Sequence, residues 1–345
     1  SAIGEVVIEA FGCKLPVHVE SLIAKQGSTW INLEYLSAES YVLKSHGLAS
    51  PVMQGAAKGY TKWFFYPGFE TGTGGLIRET DLKQRQSTFD RDAWLARYVQ
   101  PASNTNSHSK PLWISLFCYE PDALQAFIEQ LASSTSPTHL LVTQGRSQQA
   151  VAQALNALQM PDSGANNLRM TQLPYLCQED YDHLLWACDL NFVRGEDSVV
   201  RALWAGKPFV WQIYPQDDGA HQAKLEAFLD WLQAPASLRN FHQVWNGLAT
   251  GIPPALTPSV LADWSEQSKH FRKVMPRDYK RVLTAQAKAA AEAGDHGAVD
   301  GERREPLAGL DQELVACVVA ERVVDLLETV EVHEQDRDRL VVTPI

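Results

Sequence analysis

The 345-residue chain contains no run of about 18 apolar residues, so no segment reads as a membrane-spanning helix. Cysteine is sparse: Cys13, Cys118, Cys177, Cys188 and Cys317 are odd in number, scattered, and form no CxxC pair. This argues against a disulfide framework or a zinc site and for free thiols in a reducing cytoplasm. The ten histidines show no HxxxH or HExxH spacing, so metal hydrolysis has no support and no metal is expected. A GxSxG elbow for an acyl-transfer serine is also missing. Positive charge is in short supply, with 30 Lys and Arg against 41 Asp and Glu and a net charge of −11. That balance disfavours broad contact with a phosphate backbone, and no nucleic-acid partner is expected. Ser1–Glu5 carries neither a basic nor a long apolar segment, so no secretory leader is expected there. The chain opens without Met and enters a strand almost at once, which leaves room for residues ahead of Ser1.

An apolar fraction of 45% and a charged fraction of 21% belong to a globular protein, and the length suits about two domains. Strands are predicted from Val6 to Gly12, at Trp30–Leu33 and at Lys62–Tyr66, the last closed by Pro67-Gly68. A helix is expected from Pro16 to Lys25, irregular chain from Ser37 to Gly59, loop from Phe69 to Asp81, and a connecting helix over Phe89–Val99. The polar run Ser103–Ser109 reads as the domain linker. Beyond it, short apolar strands at Leu112–Phe117, Leu140–Thr143, Leu168–Leu173, Leu190–Val193 and Phe209–Ile213 alternate with helices. These helices are expected at Pro121–Ala132, Ser147–Leu158, Glu179–Ala187, Glu196–Ala205 and His221–Leu232. The alternation predicts a parallel sheet with helices on both faces and ligands at the carboxyl ends of the strands. Ala287–Pro306 reads as a second linker and Leu310–Val332 as a docking helix. The expected divisions are 1–102, 103–282 and 283–345.

Polar and aromatic residues gather at the predicted strand ends. Phe117 and Tyr119 follow the first strand of the second domain, and Tyr175, Gln178 and Tyr181 follow the third. Arg194-Gly195-Glu196-Asp197-Ser198 follows the fourth and opens a helix, and Tyr214-Pro215-Gln216-Asp217 follows the fifth. Aromatics with a Gln suit a flat base, whereas an Arg, a Ser and a helix N-terminus suit a diphosphate. An ordinary N-capped helix also explains the acidic and hydroxyl residues of the fourth cluster. Asp90-Arg91-Asp92 and Asp336-Arg337-Asp338 have a DxD form but sit in charged segments that read as solvated surface. Gly72-Thr73-Gly74-Gly75 lacks the Lys-Ser/Thr of a P-loop and reads as a tight turn.

The segments VVIEAFGCKLP (Val6–Pro16), WINLEYLSAE (Trp30–Glu39), RGEDSVVRALWAGKPFVWQIYPQDD (Arg194–Asp218) and HQAKLEAFLDW (His221–Trp231) make the chain similar to the EarP family. Its members are bacterial protein-arginine rhamnosyltransferases that modify elongation factor P. The resemblance fades after about Leu283. It implies an α/β fold of GT-B type, two Rossmann-like domains facing a cleft, acting without a metal or other cofactor. The donor TDP-β-L-rhamnose would lie mainly on the second domain. Phe117, Tyr175 and Tyr181 would surround the thymine, Gln178 would bond its edge, and Tyr119, Ser198 and Arg194 would hold the diphosphate. Glu196 and Asp197 would act near the sugar and the arginine of elongation factor P, in a direct displacement that inverts the anomeric centre. The family's general base is an Asp in a Gly-Asp-Ile-Gly type loop upstream of the segment matching Val6–Pro16, and nothing here corresponds to it. The first domain is therefore expected to be truncated at its start. The second reading is a catalytically incomplete fragment or relative that binds a TDP-sugar without transferring it.

Overall fold

The computed structural model describes residues 3–99, 110–165, 167–216 and 219–250. The first sheet is formed by β1 (Val6–Ala10), β2 (Thr29–Leu33), β3 (Ala49–Pro51) and β4 (Thr61–Phe65), in the order β1-β2-β4-β3. All its pairings are parallel except the antiparallel β3–β4 pair. The helix α1 (Val17–Gln26) joins β1 to β2; Pro16 stands before its first turn and Gly27, at φ 73°, closes it in the left-handed conformation. The segment expected to be irregular contains the short helix α2 (Tyr41–Ser45) as well as β3. The helices α3 (Leu82–Thr88) and α4 (Arg91–Tyr98) follow β4. Asp90 caps α4 by accepting from the Ala93 N–H at 3.0 Å, which is its role in the first DxD.

The second sheet alternates strictly: β5 (Leu112–Leu116), α5 (Leu124–Ser133), β6 (Thr138–Val142), α6 (Arg146–Leu158), β7 (Leu168–Gln172), α7 (Gln178–Ala187), β8 (Leu190–Arg194), α8 (Gly195–Ala205) and β9 (Phe209–Gln212). The helices α9 (Ala220–Trp231) and α10 (Ala236–Trp245) complete it. Strand order is β7-β6-β5-β8-β9 and every pairing is parallel, as a sheet covered on both faces requires. The two sheets, each Rossmann-like, make the GT-B arrangement expected.

The core is aromatic. Phe192 lies 4.9 Å from Phe127 and 4.5 Å from Trp245, ring centre to ring centre, and all three are fully buried. The helix α10, absent from the sequence expectations, covers the outer edge of β9. The Trp211 N–H donates to His242 Nε2 at 3.1 Å, Asn246 Nδ2 donates to the Trp211 carbonyl at 2.9 Å, and the Ile213 N–H donates to Asn246 Oδ1 at 2.8 Å. Backbone groups that an edge strand would leave unpaired are thereby satisfied.

The first portion of the chain is sewn to this core. Leu36, Phe69 and Leu82 join the second sheet's apolar cluster, and Phe69 packs on Phe228 (5.3 Å) and Trp231 (4.8 Å). Trp94 and Leu95 of α4 pack with Leu141, Leu173 and Leu184. The helix α8 is tied to the preceding segment at three points. Trp204 Nε1 donates to the Ile77 carbonyl (2.7 Å), Gln86 Nε2 to the Ala205 carbonyl (3.0 Å), and Arg201 pairs with Glu79 (2.5 Å). The expected linkers at 103–109 and 287–306, the helix at 310–332 and the second DxD lie outside the described residues. No helix among the described residues is long and apolar enough to cross a membrane.

Candidate active site

In the second sheet the chain winds from β5 outward to β7, then returns to lay β8 on the other side of β5. That reversal opens a crevice beyond the carboxyl ends of β5 and β8, where ligands of such sheets bind. Phe117 and Tyr119 arrive there from β5, and Arg194 to Ser198 from β8. The loop after β5 is held rigidly: the Cys118 N–H donates to Ser147 Oγ (2.9 Å) and the Tyr119 N–H to Gln212 Oε1 (2.8 Å). Burial pushes the Cys118 thiol up to about 12, so it packs as a neutral side chain.

The guanidinium of Arg194 lies 4.5 Å from the ring centres of both Phe117 and Tyr119. Its Nη1 is buried without a hydrogen-bond partner. This leaves an unpaired donor on a permanently charged group at the N-terminus of α8, where backbone N–H groups and the helix dipole favour negative charge. Gly195, at φ 69°, makes the turn, and a Cβ there would meet the Tyr119 hydroxyl oxygen at 3.3 Å. The Tyr181 ring meets Phe117 edge-on at 5.6 Å, and Tyr119 meets Tyr214 likewise at 5.6 Å. The Tyr181 hydroxyl is buried without a hydrogen bond of good geometry; burial pushes its pKa up, against a smaller opposite pull from the Ser198 hydroxyl.

The structure thus brings together Phe117, Tyr119, Tyr181, Arg194 and Ser198. Ser198 faces inward: its hydroxyl donates to the Arg194 carbonyl and accepts from the Arg194 N–H at 3.1 Å, clamping the turn. Tyr175 projects into solvent, 79% exposed, and Gln178 is exposed in the first turn of α7. Asp217 lies outside the described residues.

Glu196 and Asp197 diverge. Glu196 spans the cleft, one oxygen accepting from the Leu36 N–H (2.8 Å) beyond the end of β2 and the other from Lys224 Nζ of α9 (2.6 Å). Asp197 sits above a buried cluster that sequence reasoning did not foresee. There Arg201 forms a forked pair with Asp182 and a bond to Glu79, and Arg85 approaches Asp182 at 3.5 Å. Desolvation pushes the Asp197 carboxyl up against the pull of Arg201, and Asp182 and Glu79 add to the rise.

The facing wall of the cleft is acidic and aromatic. Phe11 stacks on Tyr35 at 4.6 Å, and both are about half exposed. The Tyr41 phenol is pushed up by burial and then by Glu39, with Glu34 and Glu196 adding to it and a hydrogen bond with Ser37 opposing it. Tyr35, Leu36 and Lys224 lie in the resembling segments WINLEYLSAE and HQAKLEAFLDW, but nothing in spacing alone singles them out.

A family model described as Elongation-Factor P (EF-P) rhamnosyltransferase EarP matches residues 1–294, running past Leu283 where the resemblance was expected to fade. The protein-arginine rhamnosyltransferase of Pseudomonas aeruginosa is 44% identical over 256 residues, covering 71% of this chain and 67% of that protein. The protein of the same name from Neisseria meningitidis is 37% identical over 237 residues, 65% of this chain and 57% of its own length. The chain therefore spans about two thirds or less of these relatives. A solved structure described as the structural basis for EarP-mediated arginine glycosylation of translation elongation factor EF-P is 26% identical, with a TM-score of 0.52, covering 82% of this chain and 98% of that one. By the family match over most of its length, supported by this identity and this fold, the chain belongs to the EarP family of elongation factor P rhamnosyltransferases.

Proposed function

We infer that the crevice at β5 and β8 binds TDP-β-L-rhamnose and that the cleft presents its anomeric carbon to an arginine of elongation factor P, in the cytoplasm. The observation that carries this reading is the buried, unpartnered Nη1 of Arg194 between Phe117 and Tyr119, at the mouth of α8. A diphosphate fills it: the guanidinium supplies a charge-assisted bond, and the first turn of α8 supplies free N–H groups and the positive end of its dipole. Phe117 and Tyr181 offer faces and edges to a flat base, with Tyr175 and Gln178 closing from the exposed side.

Transfer at this site is a direct displacement. The C–O bond to the diphosphate breaks as the C–N bond to the guanidinium forms, and Arg194 with α8 stabilises the departing charge. A guanidinium pKa above about 12 makes prior deprotonation expensive, so its proton leaves as the new bond forms. Glu196, fixed from both walls of the cleft, orients the acceptor. Asp197, whose carboxyl is pushed up by desolvation, is the proton acceptor assigned within this chain.

Calorimetric titration with TDP, using UDP as comparison, tests the reading. Binding with preference for TDP is expected. A folded chain that binds neither nucleotide overturns it, and a chain that binds TDP but transfers no rhamnose to elongation factor P is a sugar-nucleotide-binding relative.

A further inference from the structure

The pairing of Glu196 with Lys224 has a feature that a plain salt bridge lacks. The Lys224 ammonium also lies 5.3 Å from the ring centre of Tyr35, which belongs to the opposite wall of the cleft. Its side chain is only 15% exposed. The ammonium is therefore held at once by a carboxylate from α8 and an aromatic face beyond β2. Glu196 has no freedom to turn elsewhere, because the Leu36 N–H holds its second oxygen at 2.8 Å. Tyr35 is backed by Phe11 in a stacked pair with rings inclined at 23°. A carboxylate and an aromatic face converging on one point are the two elements that receive a cation, and a planar guanidinium uses both better than an ammonium does.

The surroundings agree. Glu34, held by Asn32, and Glu39, held by Ser37, lie in the same segment as Tyr35 and add negative charge near it.

We propose that Glu196 and Tyr35 form the subsite for the acceptor's cationic side chain and that Lys224 occupies it as an internal stand-in until the acceptor displaces it. This rests on the reading in which the cleft receives an arginine. It adds that Lys224 competes with the acceptor and so sets how strongly the acceptor must bind. The competition is electrostatic: two cations cannot share one carboxylate oxygen in a narrow cleft without repulsion, so the ammonium swings into solvent on its flexible stem as the guanidinium enters.

The test is binding of N-acetyl-arginine amide to the whole chain in saturating TDP, measured by titration for the wild type, Lys224→Met and Tyr35→Ala. Lys224→Met should bind the probe at least fivefold more tightly than wild type, because the competitor is gone while an apolar stem of similar length remains. Tyr35→Ala should bind it at least threefold more weakly. Both variants should keep wild-type affinity for TDP, which shows that each is folded. Unchanged or weaker probe binding by Lys224→Met overturns the proposal, as does a chain that binds TDP yet binds the probe in no variant. Failure of the wild type to bind TDP instead strikes the donor reading, and the two failures are thereby separate.

Discussion

Arg194 is the residue on which the proposed donor site turns. Its guanidinium is positioned by two rings and by the Ser198 clamp on its backbone, and its Nη1 has nothing to bond. Arg194→Ala should weaken TDP binding by about 1–3 kcal/mol, the range for a charge-assisted hydrogen bond, and lessen its dependence on salt. Titration at two ionic strengths checks both, and an unchanged affinity would remove the phosphate assignment. Ser198→Ala should act less directly, loosening the turn that presents Arg194. A second prediction concerns Gly74, where an added Cβ would lie 2.4 Å from the Phe65 ring and 2.9 Å from the Tyr66 carbonyl. Gly74→Ala should lower the melting temperature, because the neighbours are a buried aromatic and backbone, neither free to give way. Arg194 and its aromatic partners were legible in the sequence, since strand ends in an alternating fold collect ligands. The inward turn of Ser198 and the reach of Lys224 to Glu196 were not, because each depends on a contact made only after packing.

The β9–α10 unit has a buried titratable group at its joint. His242 accepts from the Trp211 N–H through Nε2 and donates from Nδ1 to the Leu238 carbonyl at 3.0 Å, so it must be neutral with its proton on Nδ1. Burial pushes its pKa down to about 4; His139, stacked on Trp113 at 4.5 Å, is pushed down to about 4 by burial and by Arg169. In the unfolded chain both take up protons near pH 6.5, so between that pH and about 4 the unfolded state binds more protons than the folded one. Stability should therefore fall as pH falls through this window. Melting followed from pH 7 to 4 should show the loss, and His242→Gln should flatten part of it. The strands β5, β6, β8 and β9 could be read from their apolar runs. The helix α10 was open to reading, since Leu238, Phe241, Val244 and Trp245 share one helical face. Its service to β9 was not, because it is made to backbone groups that no pattern of side chains reveals.

The described residues are joined along α8, whose first turn lies at the candidate site and whose later turns hold Ile77, Glu79 and Gln86. Asp182 is the anchor of the buried charge cluster: it bonds Arg201 in a forked pair and stands only 2% exposed. Asp182→Ala leaves a buried guanidinium half-paired and should cost about 3–5 kcal/mol, read as a lower midpoint in urea. Because Leu36, Phe69 and Leu82 belong to the second sheet's core, both sheets should unfold together. Tryptophan fluorescence and far-ultraviolet dichroism should trace one coincident transition, whereas two separated ones would show the sheets to be independent.

Among the described residues the chain leaves the first sheet at Phe65 and is already anchored in the second core at Phe69. Only Tyr66, Pro67 and Gly68 lie between. A tether of three residues spans about 10 Å at full stretch, and Pro67 stiffens it. The end of β4 therefore cannot move far from the second core at Phe69. Under the proposed function, such a cleft suits an acceptor that presents its arginine on a protruding loop better than one that must enter bodily. Selection among proteins would then fall on how a side chain is presented, with the surrounding sequence of the acceptor left free to vary.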